Sequence, residues 1–103
     1  IAVDVPGPAG PGTFSLGGPV PSPARGPARL ELTLPERQRV RVAVVDLQGR
    51  RLAAQDLGER EPGRVRVDLA PRGDDGAALG PGLYFVRVEA GGRTATRRWV
   101  IVR

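Results

Sequence analysis

The chain has 103 residues and a net charge of +5 from sixteen arginines and eleven acidic residues, with no lysine, histidine or cysteine. That length bounds it to one domain burying about 60–65% of its unfolded surface. Without cysteine, disulfides and thiolate zinc sites are excluded, so an apolar core must hold the fold. Without histidine, the commonest acid–base group near neutral pH is missing.

Ile1 opens the chain without an initiator Met, as expected of a processed chain or a part of a longer one. No run of about 18 apolar residues is present to span a membrane as a helix. Ile1-Ala2-Val3-Asp4-Val5 alternates apolar with small or charged residues, the pattern of a short strand. Pro6 to Gly12 cannot build a ladder, because proline lacks the N–H and glycine weakens strands. Residues 1–13 therefore read as an extended tail and linker, and residues 14–103 as the folded domain. The tail is expected either to fray or to pair, through Ile1, Val3 and Val5, with a sheet edge of another subunit.

Phe14-Ser15-Leu16 is a brief apolar anchor, and Gly17 to Ala24 is an extended stretch suited to covering a sheet edge. Leu30, Leu32 and Leu34 alternate with Arg29, Glu31 and Thr33, which predicts a strand with one apolar face. Pro35 ends it, and Glu36 to Arg39 reads as a polar turn. Val40, Val42 and Val44 repeat the period of two. Asp46-Leu47-Gln48-Gly49 then fits a type I turn closed by a left-handed glycine, with a return strand from Arg50 to Leu57.

Gly58 to Gly63 reads as a solvated loop, followed by a strand built on Val65, Val67 and Leu69. Ala70 to Pro81 is a long loop with a minor hairpin near Asp75-Gly76 and Leu79 as its apolar peg. Leu83 to Ala90 is the most strand-like run, with Tyr84, Val86 and Val88 on one face. Gly91-Gly92 predicts a two-residue hairpin into a last strand from Arg93 to Arg103. There Trp99 to Val102 are consecutive apolar residues, expected to be buried on both faces or packed under the Pro-rich segment. Six strands, seven with the Phe14 region, and no helical period predict an all-β antiparallel sandwich.

The order of these motifs resembles a known family. Phe14-Ser15-Leu16, Pro21-Ser22-Pro23 and Leu30-Glu31-Leu32-Thr33-Leu34-Pro35 precede the hairpin Val42 to Leu52. Pro62-Gly63, Val67-Asp68-Leu69, Gly82 to Val88 and the basic-ended Arg97 to Arg103 complete the set. This is similar to the C-terminal sorting domains of type IX secretion cargo and to the immunoglobulin-like domain of the flagellar hook-capping protein FlgD. The resemblance implies a small antiparallel immunoglobulin-like β-sandwich of about seven strands. It also implies a place at the C-terminus of a secreted or surface protein, recognised by an outer-membrane translocon. Ser22 stands where the family has Asn, and Val67-Asp68-Leu69 where it has Trp-Asp-Gly. The terminal basic residues are arginine where the family mostly has lysine, which keeps the charge and changes the hydrogen-bond geometry.

Tyr84 after Gly82-Leu83 fits a tyrosine corner, in which the hydroxyl bonds back to nearby backbone. Gly49, Gly82, Gly91 and Gly92 are structural by the same reasoning. Asp68, Asp74 and Asp75 are too few, at no recognisable spacing, to hold calcium. Ser15 and Ser22 lack a base, so neither is a nucleophile candidate. No catalytic residue, cofactor, metal or small-molecule substrate is expected. Arg37, Arg39 and Arg41 read as a solvated mixed-charge face and not as a nucleic-acid footprint, since acids alternate with them and the few aromatics suit packing.

The expected partners are therefore export machinery or a second copy. Arg97, Arg98, Val100, Val102 and Arg103 of the last hairpin are the recognition candidates. The leading expectation is a non-catalytic sorting or anchoring module. The runner-up is a subunit of an extracellular assembly, whose tail pairs head to tail into open filaments. An adhesive module binding sugar or protein is the third.

Overall fold

A computed structural model describes residues 14–102. The seven strands are β1 (Ser15–Val20), β2 (Ala28–Leu34), β3 (Gln38–Val45), β4 (Arg51–Arg60), β5 (Gly63–Leu69), β6 (Gly82–Ala90) and β7 (Arg93–Ile101). They form two antiparallel sheets in the orders β1-β2-β5 and β4-β3-β6-β7, which is the expected immunoglobulin-like sandwich. The tail 1–13 with Ile1, Val3 and Val5, and also Arg103, lie outside the described residues.

The alternating positions build the core. Leu30, Leu32 and Leu34 of β2 face Val40, Val42 and Val44 of β3, with Val65, Val67 and Leu69 from β5 and Val86 and Val88 from β6. Trp99, fully buried, is the largest side chain of this layer. Among the described residues no polar or charged residue is buried, so the interior rests on apolar packing alone.

The hairpin at Asp46 forms as its residues dictate. The Gly49 N–H donates to the Asp46 carbonyl at 3.0 Å, and Gly49 has φ +84°. The Asp46 carboxylate accepts from the Gln48 and Arg50 backbone N–H groups, both at 2.9 Å, and from Arg50 Nε at 3.0 Å. The second hairpin turns at Gly91-Gly92 with φ +61° at Gly91 alone, the pattern of a type II′ turn. In the long loop, an antiparallel bridge between Arg72 and Ala78 makes the minor hairpin, and Leu79 packs against the core.

Three boundaries differ from expectation. Gly58 to Gly63 is not a loop, because β4 continues to Arg60 and pairs Glu59 with Arg39 and Arg60 with Gln38. A bulge makes this possible: Val40 pairs with Gly58 and Arg41 with Asp56, so Leu57 is an extra residue on β4. For the same reason Gln38 and Arg39 belong to β3, not to a turn. Gly17 to Val20 lie inside β1, where proline is tolerated because β1 is an edge strand. Only the later part of that stretch covers an edge, through Ala24, which bridges to Ile101 of β7.

Tyr84 completes its corner: the hydroxyl donates to the Gly80 carbonyl at 2.7 Å. Tyr84→Phe is expected to destabilise the domain by about 1 kcal/mol, read from urea unfolding. An unchanged midpoint would mean that the bond contributes nothing.

Candidate functional site

The last hairpin carries most of the residues singled out for recognition, and the structure gives them different tasks. In β7, Trp99 and Ile101 point into the core, so Arg98 and Val100 point to the outer face of the four-stranded sheet. Register pairs Arg98 with Phe85 and Val100 with Leu83. Val100 is half-buried, and its edge is occupied: its carbonyl accepts from Ala24 N–H at 2.8 Å, and its N–H reaches Ser22 Oγ at 3.5 Å. Val102 donates its N–H to the Ala24 carbonyl at 2.9 Å. The consecutive apolar residues thus divide between core and outer face, and the Pro-rich segment runs alongside.

Arg97 has the core-facing parity of Ala95 and Trp99, yet its guanidinium escapes along the seam between the sheets. It donates to the Leu16 carbonyl of β1 at 2.8 Å and to the Thr96 carbonyl at 3.3 Å. A charge at an inward position of an edge strand blunts that edge. It ties β7 to β1, which leaves Arg98 as the cation of the pair on the outer face.

The remaining arginines divide by partner. Arg37 pairs with Glu59 at 2.8 Å and Glu61 at 3.2 Å, and Arg39 with Asp56 at 2.6 Å. Across β2 and β5, Arg29 meets Asp68 at 3.5 Å and Arg66 meets Glu31 at 3.8 Å. These are exposed mixed-charge ladders, each pair worth little on its own. Asp75 forms its own turn, accepting from the Ala77 backbone N–H, and Asp74 caps the β4 edge, accepting from the Ala54 N–H. Among the described residues no three His, Cys, Asp or Glu come together in a way that could hold a metal ion.

Two carboxylates carry a pH signature. For Asp46, desolvation opposes ionisation, but the Arg50 N–H, the Arg50 guanidinium and the Gln48 N–H outweigh it and hold the carboxyl below its ordinary value. For Asp56, the Arg39 guanidinium and the Gly58 N–H do the same. A carboxyl lowered in the folded state stabilises above its unfolded pKa and loses that contribution as pH falls through the folded value. Acid titration at low salt should therefore show stability falling below the ordinary carboxylate range, with a shallower fall in the double variant Asp46→Asn, Asp56→Asn. Identical profiles would show that these two groups do not set acid sensitivity.

Sequence reasoning missed the outer face of the four-stranded sheet, because no single strand reveals it. Ala43 of β3 pairs with Ala54 of β4 on one side and with Arg87 of β6 on the other. The small side chains leave a groove of about 390 Å3 bordered by Arg41, Arg51 and Arg87. One step along the ladder, Val45 pairs with Phe85.

Comparisons with known proteins agree with this architecture. Comparison with curated proteins yields no match. Among solved structures, the crystal structure of FlgD from P. aeruginosa is similar over 72% of this chain, at 23% identity and a TM-score of 0.59. Dimeric latent PorU from Porphyromonas gingivalis is similar over 86% of this chain, at 18% identity and a TM-score of 0.63. The chain spans 60% of that FlgD chain and 9% of that PorU chain, so these likenesses concern the fold. The model of the FlgD Ig-like domain family matches residues 21–93, from the Pro-rich segment to the last hairpin turn, and the chain belongs to that family.

Proposed function

We propose that this chain is a non-catalytic sorting or anchoring module of a secreted or cell-surface protein, presenting its last hairpin, Leu83 to Arg103, to outer-membrane export machinery. The observation that carries the reading is the placement of that hairpin. β6 and β7 form one side of the four-stranded sheet and turn Arg98 and Val100 outward, where a second protein reaches them without disturbing the core. The motif order shared with type IX sorting domains supports it. So does a fold that recurs as a small part of a much longer chain.

The test fuses residues 14–103 to a reporter in a host with the type IX pathway. Delivery to the surface is expected, reduced by Arg98→Ser without a change in melting temperature. A reporter retained in the periplasm would sink the reading.

A second reading, a subunit joined by strand pairing, is favoured by one sheet edge. Leu52 and Ala54 of β4 are capped by Asp74, and β1 and β7 share Arg97. On β5 the Asp68 carbonyl accepts from Gln55, which marks the outward parity, but the same parity at Arg64 and Arg66 has no partner among the described residues. In this reading Ile1, Val3 and Val5 of another copy add a strand there. Removing residues 1–12 would then abolish self-association and keep the fold, whereas a full chain that stays monomeric at high concentration overturns it.

A further inference from the structure

The two sheets treat their outward arginines differently. On the three-stranded sheet a larger groove, about 590 Å3, runs over Gly17 and Gly18, but its Arg29 and Arg66 already face Asp68 and Glu31. Of the outward arginines on that face only Arg64 makes no ion pair among the described residues. On the four-stranded sheet Arg51, Arg87 and Arg98 make no ion pair among the described residues. The β4 acid that lines the groove, Asp56, is engaged by Arg39 at 2.6 Å, with Arg41 at 3.9 Å, and Asp74 at the β4 edge is engaged by the Ala54 N–H. Glu89 is the one acid left over in the groove, against three guanidiniums.

Directly beside this cationic hollow the face turns apolar. Register sets Phe85 between Val45 and Arg98, and Leu83 beside Val100. Phe85, Leu83 and Val100 are half-buried, and Leu47 in the adjoining turn is 63% exposed. The hollow and the apolar strip are one ladder step apart, roughly 6.6–7 Å along the strands, the spacing of residues i and i+2 in any extended chain.

We propose that this face docks an extended acidic segment of a partner polypeptide. A carboxylate lies over Ala43 and Ala54 between Arg41, Arg51 and Arg87, and the apolar residue two positions along packs on Phe85 and Leu83. Charge complementarity selects the occupant. Arg51 and Arg87, which make no ion pair among the described residues, accept a carboxylate through charge-assisted hydrogen bonds, and the small floor residues let it approach the sheet. An apolar ligand alone leaves the arginines unused, and a bare anion leaves the strip unused. The surface stands whether or not the chain is exported.

The test titrates the isotope-labelled full chain with the acetylated, amidated peptide Asp-Ser-Leu-Ser-Asp-Ser-Leu and follows backbone amide shifts. Shifts are expected to concentrate at Ala43, Ala54, Phe85 and Arg87. Arg87→Ser should weaken binding about tenfold, as expected for loss of a charge-assisted bond. Arg64→Ser, which removes an exposed unpaired cation from the other sheet, should change it little. Replacing the peptide's leucines by serine should weaken binding several-fold. The proposal is overturned if the shifts spread over both sheets, or if Arg64→Ser weakens binding as much as Arg87→Ser. It is equally overturned if the leucines prove dispensable, or if anionic phospholipid vesicles perturb these residues while the peptide does not.

Discussion

Trp99→Ala is expected to destabilise the domain by about 3–5 kcal/mol, the range for truncating a buried aromatic residue. Domains of this size have about 5–15 kcal/mol in total, so the variant should be partly unfolded at ordinary temperature. The reason is position as well as size. Trp99 is fully buried and pairs with Tyr84, so its loss opens a cavity between the core and the corner that closes the β6 end. Trp99→Phe separates the contributions. The indole Nε1 has no acceptor in its buried site, and an unmet buried donor costs about 1–3 kcal/mol. Phenylalanine removes that donor while filling much of the space, so it should cost less than half as much as alanine. Urea unfolding followed by far-ultraviolet circular dichroism gives both values, since the tryptophan signal is lost in both variants. Equal losses would show that the ring's polar edge and its volume are not separable in this way.

Gly18→Ala is expected to cost about 1–3 kcal/mol, the range for forcing a side chain into a disfavoured backbone region. Gly18 has φ +93°, and a Cβ there would meet the Arg29 carbonyl oxygen at 2.7 Å and Val20 N at 3.3 Å. Both atoms belong to backbone, one of them in the paired strand β2, so neither can swing aside. Its neighbour is the control. A Cβ at Gly17 would find the Glu31 carbonyl at 3.8 Å, an ordinary contact, and Gly17→Ala should stay within about 0.5 kcal/mol of the parent. Thermal unfolding of the two variants side by side decides the matter. Equal melting temperatures would mean that β1 shifts freely and is not locked by the extra residue between Gly17 and Val20, which pair with Glu31 and Arg29.

Strands whose side chains alternate cleanly could be read from the chain. Leu30, Leu32, Leu34, Val65, Val67 and Leu69 all lie on the face that period two assigns them. β4 could not be read in the same way, because bulges at Leu52 and Leu57 break its period and its burial follows no alternation. β1 was hidden for a different reason. Gly17, Gly18 and Pro19 are poor strand formers, and they pair only because β2 supplies a template on one side. The turn residues Asp46, Gly49 and Gly91 were legible because their chemistry is local. The surface over Ala43 and Ala54 was not, since it exists only once β3, β4 and β6 are in register. Arg97 and Arg98 look equivalent in sequence, and only the parity of β7 separates a seam-bridging cation from one on the outer face.

The parallel run of the β1–Ala24 segment beside β7 has a mechanical consequence. Leu16 is bonded by Arg97 midway along β7, and Ala24 meets Val100 and Val102 at its C-terminal end. Because the segment and β7 run parallel, the chain enters at Phe14 and leaves at Val102 in opposite directions along β7. Tension applied at those two points pulls the segment and β7 past each other along their length. The Arg97 bond and the two Ala24 bonds are then loaded together in shear instead of peeling one at a time. Loading in shear asks several hydrogen bonds to break at once, so pulling at these two points is expected to need more force than unzipping the β6–β7 hairpin from its turn.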